Sequence, residues 1–150
     1  MQVRLLVAIV LMLVIGTTNA AQPIAGTYRH SYTVPNHPLF PKTHFGHTVR
    51  ISKATDKSAY LLIEVHDASV GSSCSGYIEG VARRNGQKLT LTVTQPREGL
   101  HCTVVVEVAN DLAQITHEYT CSEWHGVSCG FESDKKLARV RSQRERGARQ

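Results

Sequence analysis

Beyond residue 25, apolar and polar residues alternate with a period of two over most of the chain, as in strands with one buried face. The clearest run is Lys88-Leu-Thr-Leu-Thr-Val-Thr94, with Leu89, Leu91 and Val93 on one side and three threonines on the other. Just before it, Cys74, Gly76, Ile78, Gly80 and Ala82 share a face, and the Asn85-Gly86 pair suits a tight type I′ turn between the two strands. Residues 60–66 are the most apolar strand, with Leu61, Ile63 and Val65 on one face and Tyr60, Leu62, Glu64 and His66 on the other. In residues 102–108, Cys102, Val104, Val106 and Val108 line an inner face; after a turn at Asn110-Asp111, alternation aligns Ala113, Ile115, His117, Tyr119 and Cys121. Residues 25–34 and 47–52 supply two earlier strands, and 136–140 a short closing one. Pro35, Pro38 and Pro41 break the pattern between the first two, so a loop is expected to run on through Gly46.

Seven or eight short strands joined mostly by short turns predict an all-β, antiparallel meander. No stretch of twelve residues in this body shows an amphipathic 3.6-residue period, so helix is expected to be minor. Such a meander closes into an up-and-down barrel or folds as a two-sheet sandwich, and closure is the favoured expectation because it removes exposed sheet edges.

The first twenty residues stand apart. Arg4 precedes an unbroken apolar run over residues 5–15, and Thr18-Asn19-Ala20 ends in the small-x-small pattern of a signal peptidase site. Eleven apolar residues are too few to span a hydrocarbon core of roughly 30 Å. The expectation is a signal peptide over 1–20, a single β domain over 21–140 and a periplasmic or secreted, soluble, monomeric product.

Export changes how the four cysteines read: two disulfides rather than a zinc or redox centre. Four cysteines allow three pairings. Cys121 with Cys129 and Cys74 with Cys102 are favoured, because the first pair would close a short excursion and the second would join two inward positions. Cys102 with Cys121 competes, as those residues fall at the same end of adjacent strands.

Charge is divided unevenly. Residues 21–133 carry nine Lys/Arg against ten Asp/Glu, whereas 134–150 carry seven against two. The last ten residues, 141–150, read as a basic disordered tail that could attach to an anionic envelope polymer. Nucleic acid is disfavoured, since the tail has no aromatic residue on which a base could stack.

Three sets of residues are candidates for function. The loop over residues 122–128 places Glu123, Trp124 and His125 between two cysteines, a constrained segment carrying the residue type most enriched at binding hot spots. Trp124 could instead fold back and plug the barrel end. His37, His44 and His47 could hold Zn²⁺ or Cu²⁺, although two residues three apart on a strand point to opposite faces. His66-Asp67 with the serines at 72, 73 and 75 offers the residue types of a hydrolytic triad, but no nucleophile-elbow motif occurs. Glu64, Glu79, Glu107 and Glu118 read as outward, solvated carboxylates. The expectation is therefore a binding module rather than an enzyme, without a cofactor. Its most concrete version is an inhibitor or immunity-type protein that occludes an envelope-active enzyme such as a lysozyme; a histidine-based metal binder, or a barrel holding a small apolar ligand, is the alternative.

Overall fold

The computed structural model describes residues 23–33, 44–69, 72–95 and 98–141. The expected signal peptide, the proline loop with His37, and the tail beyond Arg141 lie outside them. The fold is a closed antiparallel barrel of eight strands in chain order: β1 (Gly26–Thr33), β2 (His44–Ser52), β3 (Ser58–Ser69), β4 (Ser72–Asn85), β5 (Lys88–Thr94), β6 (His101–Ala109), β7 (Leu112–Tyr119) and β8 (Leu137–Arg139). Two disulfides staple it. Barrel, strand count and disulfides agree with the sequence expectation, and closure settles barrel over sandwich.

An eight-stranded barrel is just wide enough for side chains to fill it. Here the interior is packed by the alternating positions read from the sequence: Val49, Leu61, Ile63, Val65, Ile78, Leu89, Leu91, Val104, Val106 and Ile115 are all fully buried. Tyr28, Phe131 and Leu137 complete the fill from β1 and from the segment leading into β8.

The two barrel ends are built differently. The first end gathers the tight turns. Asn110 and Asp111 both have positive φ, 51° and 63°, as a type I′ turn requires. At the other hairpin, Asn85 pairs with Lys88, so Gly86 and Gln87 are the central residues and Gly86 takes the positive φ of 62°. That is the type II′ arrangement, with glycine first, rather than the I′ turn expected for Asn-Gly. Arg139 fastens this end, donating to the carbonyls of Pro23 and Ala25 and to Asp111 Oδ1 at 3.1 Å. Its guanidinium holds the Asp111 carboxyl below the usual carboxylate range.

The second end collects the longer connections and both disulfides. β2 begins at His44, so part of the expected proline loop is strand: Thr33 pairs with His44 and His30 with His47 in unbroken register. β3 and β4 pair without a break as far as Ser69 and Ser72.

Candidate functional site

A single irregularity in β7 sets the chemistry of the second end. Val106 pairs with Ile115 but Val105 pairs with His117, which leaves Thr116 as the extra residue of a β-bulge. Alternation inverts beyond it. His117 and Tyr119, expected inside with Ala113 and Ile115, face solvent and stack at 6.0 Å and 3°. Glu118, expected outside, turns toward the barrel mouth with its side chain 21% exposed.

There Glu118 becomes a hub. Its carboxylate accepts from the Phe131 and Glu132 amides, the latter at 3.1 Å, and meets His125 Nε2 at 3.0 Å. His125 Nδ1 lies 2.8 Å from the Gly126 carbonyl, so both ring nitrogens face acceptors. The imidazole also packs edge-on against Phe131, at 5.3 Å between centroids. A charged group held by several hydrogen bonds positions what it binds more firmly than neutral contacts do, and Glu118 thereby fixes the turn from residue 129 to residue 132.

The disulfides run Cys102–Cys121 and Cys74–Cys129, which corrects the favoured pairing and matches the competing one. Cys102 and Cys121 lie at the same end of adjacent strands β6 and β7, with Cα atoms 4.4 Å apart, well placed for a bridge. Residues 122–128 therefore do not form a loop closed on itself. Each end is tied to a different strand, Cys121 to β6 and Cys129 to β4. Between the ties the loop adds to the β4 edge: Gly76 bridges His125, Tyr77 N–H donates to the Trp124 carbonyl at 3.1 Å, and Gly126 N–H donates to the Ser75 carbonyl at 3.1 Å. This approach needs glycine on both sides. A Cβ on Gly76 would lie 2.5 Å from His125 Cβ, and one on Gly126 would lie 2.7 Å from Cys74 Sγ.

The three loop candidates consequently differ in their surroundings. Trp124 is half-buried against the core, the plugging alternative considered above. His125 is half-buried in the Glu118 network, while Glu123 is exposed. Val127, an apolar residue of the same loop, is fully exposed.

Of the histidine set, His37 lies outside the described residues, as does the side chain of His44. His47 points inward, with Nε2 3.2 Å from the Gly130 carbonyl, and burial pushes its pKa below the ordinary histidine value. Among the described residues no group of three His, Cys, Asp or Glu side chains is placed to hold a metal ion. Of the hydrolytic set, His66 and Ser75 are brought together as a cross-strand pair, but Asp67 is not part of that contact. His66 and Asp67 are consecutive on β3 and face opposite sides, and Asp67 accepts from the Tyr32 hydroxyl. Of the remaining carboxylates, Glu64 pairs with Arg50 at 3.5 Å, and Glu79 accepts from Tyr77 and Tyr60, which depresses its pKa and raises that of Tyr77 to about 12. No helix among the described residues is long and apolar enough to cross a membrane.

No protein-family model, curated protein or solved structure matches the chain.

Proposed function

We propose that this chain is an exported binding module that presents residues 122–128 to a protein partner. The most concrete form is an inhibitor or immunity-type protein that occludes the cleft of an envelope-active enzyme such as a lysozyme. One observation carries this reading: an exposed loop is disulfide-tied at each end to a different strand, and it carries the fully exposed apolar side chain of Val127. Solvent-exposed valine on a cross-linked loop contributes nothing to the core. It also loses little conformational freedom when a partner covers it, so more of the contact energy reaches affinity. Glu123 adds a charge on the same loop. The leader-like first twenty residues and the two disulfides support an oxidising compartment outside the cytoplasm.

Because the interior is packed by its own side chains, a macromolecular partner at the rim is favoured over a small apolar ligand within. Trp124 contributes its backbone carbonyl and core packing rather than a protruding ring. The contact residues assigned here are Glu123 and Val127.

The test is capture from envelope and secreted extracts on immobilised oxidised protein, wild type beside Val127→Asp and Glu123→Arg, with bound proteins identified by mass spectrometry and added to an enzyme assay. A partner retained by wild type, lost by both variants and inhibited on binding is the expected result. Equal retention by all three, with melting temperatures unchanged, would remove the loop from the function.

A further inference from the structure

We propose that Glu79, flanked by Tyr60, Leu62, Tyr77 and Val81 on the outer wall of β3 and β4, is a seat for an arginine side chain of a partner protein. The seat needs neither Glu123 nor Val127.

Alternation decides which side chains meet there. Ile78 and Ala82 fill the barrel, so Tyr77, Glu79 and Val81 turn outward on β4. On β3, Leu61 and Ile63 point in while Tyr60, Leu62 and Glu64 point out. The unbroken register then sets Tyr60 opposite Val81, Leu62 opposite Glu79 and Glu64 opposite Tyr77. Side chains directly opposite one another have Cβ atoms about 4.5–5.5 Å apart, and diagonal neighbours are within reach of aromatic rings. Glu79 occupies the middle of this lattice. Leu62 is across from it, Tyr77 and Val81 lie two residues away on its own strand, and Tyr60 is on the diagonal. Both β4 neighbours are open to a partner, Tyr77 being 47% and Val81 71% exposed.

The carboxylate is already held in place. The Tyr77 and Tyr60 hydroxyls both donate to Glu79, which lowers its pKa, raises that of Tyr60 and pushes that of Tyr77 up to about 12. Glu79 therefore stays ionised at neutral pH while both phenols keep their protons. A carboxylate offers about four acceptor positions, so two phenols leave about half of them to a ligand. Among the described residues Glu79 forms no ion pair. Arg50, on β2, is committed to Glu64 at 3.5 Å. Lys53 follows β2, on the side of β3 away from β4, and its ammonium stands 5.9 Å from the Tyr60 ring centroid. One ring of the cluster thus already attracts a cation of the chain itself. Among the described residues no cation lies over the Tyr77 ring.

A ligand for this arrangement is positively charged, flat at its head and apolar along its stem. Arginine has all three properties. Its fork of N–H groups matches the two carboxylate oxygens, its planar face stacks on a tyrosine ring, and its methylenes cover Leu62 and Val81. Lysine matches the charge alone. A phosphate polymer would be repelled by Glu79, and a neutral glycan would leave the carboxylate unpaired. A fixed charge ringed by groups that exclude water once covered is the arrangement of binding hot spots. Tyr77 N–H also bonds to the Trp124 carbonyl at 3.1 Å, so the seat borders the disulfide-tied loop and shares its rigid backbone.

Three acetylated, amidated tripeptides test this, with leucine and valine flanking arginine, lysine or citrulline, the last being the neutral isostere of arginine. Each is titrated into the oxidised, isotope-labelled protein, and affinity is read from the amide resonances of residues 76–82. The arginine peptide should bind about fivefold or more tighter than the citrulline peptide and about twofold or more tighter than the lysine peptide. Glu79→Gln should reduce the preference for arginine over citrulline to less than about twofold. Tyr77→Ala should weaken the arginine peptide by about fivefold. Melting temperatures should be unchanged in both variants; should Tyr77→Ala not fold, Glu79→Gln decides alone. Equal binding of the arginine and citrulline peptides, no shift at residues 76–82 at the highest peptide concentration, or an undiminished preference in Glu79→Gln would overturn the proposal. A wild type that sediments as a dimer and becomes monomeric in Glu79→Gln would give the seat to a second copy and overturn it as well. Val127→Asp should bind the arginine peptide as wild type does, so failure of the loop reading is separable from failure of this one.

Discussion

The two ends of the barrel close by different physics. At the first, each connection is a turn of a few residues whose backbone needs are met locally, by Gly86 at one hairpin and by Asn110 and Asp111 at another. Arg139 then clips β8 to the chain entry through carbonyls and Asp111. At the second end almost every tie is long-range: Cys74 reaches Cys129 across 55 residues, His47 reaches the Gly130 carbonyl, and Glu118 gathers a histidine and two amides. An end closed by turns folds with its strands. An end closed by cross-links and a partly buried carboxylate holds a loop in one conformation, as the proposed binding role requires.

The sharpest way to break this contrast is to remove a disulfide. On the chain-entropy estimate, Cys74–Cys129 contributes about 4 kcal/mol and Cys102–Cys121 about 3 kcal/mol, against a typical stability of about 5 to 15 kcal/mol. Alanine replacement of either pair should lower the denaturation midpoint in that order, since the longer loop frees more of the unfolded chain. Next in size is Glu118→Gln. It keeps the shape but removes the charge that the Phe131 and Glu132 amides and His125 all address, and should cost about 2 kcal/mol in chemical denaturation. A loss no larger than that of Glu107→Gln, an exposed position on β6, would mean that the hub holds nothing.

The smallest effect is a pH dependence. Burial lowers the His47 pKa, so the folded state binds fewer protons than the unfolded chain as pH falls through about 6.5. The contribution from neutral His47 is present above that value and is lost as pH drops toward the folded value. Melting temperatures measured from about pH 7.5 to about pH 5 should therefore fall less steeply for His47→Gln than for wild type. Parallel slopes would show that His47 is solvated rather than buried.

The first end, the strand order and most of the core were legible in the sequence, because alternation and turn chemistry are local properties. Leu89, Leu91, Val104 and Val106 are buried as their spacing predicts. The second end was legible only in part. No residue type announces a bulge at Thr116, so one extra residue reversed the predicted faces of His117, Glu118 and Tyr119. The disulfide pairing depended on which strand ends meet in space, and a short separation in sequence favoured Cys121 with Cys129 over the bridge to β6. Trp124 was singled out by residue type, whereas its half-burial follows from the loop lying against β4.

The central claim, that the second end is a loop platform held by its cross-links while the rest of the barrel stands without them, is tested most directly by residue-resolved amide hydrogen exchange. Wild type would be compared with Cys74→Ala/Cys129→Ala under conditions where both remain folded. The account predicts that protection collapses at Tyr77, Gly126 and Phe131, whose amides bond within the platform, and persists at Leu61, Val104 and the Asn110-Asp111 turn. Protection lost evenly over the whole barrel, or retained at Tyr77, Gly126 and Phe131, would contradict it.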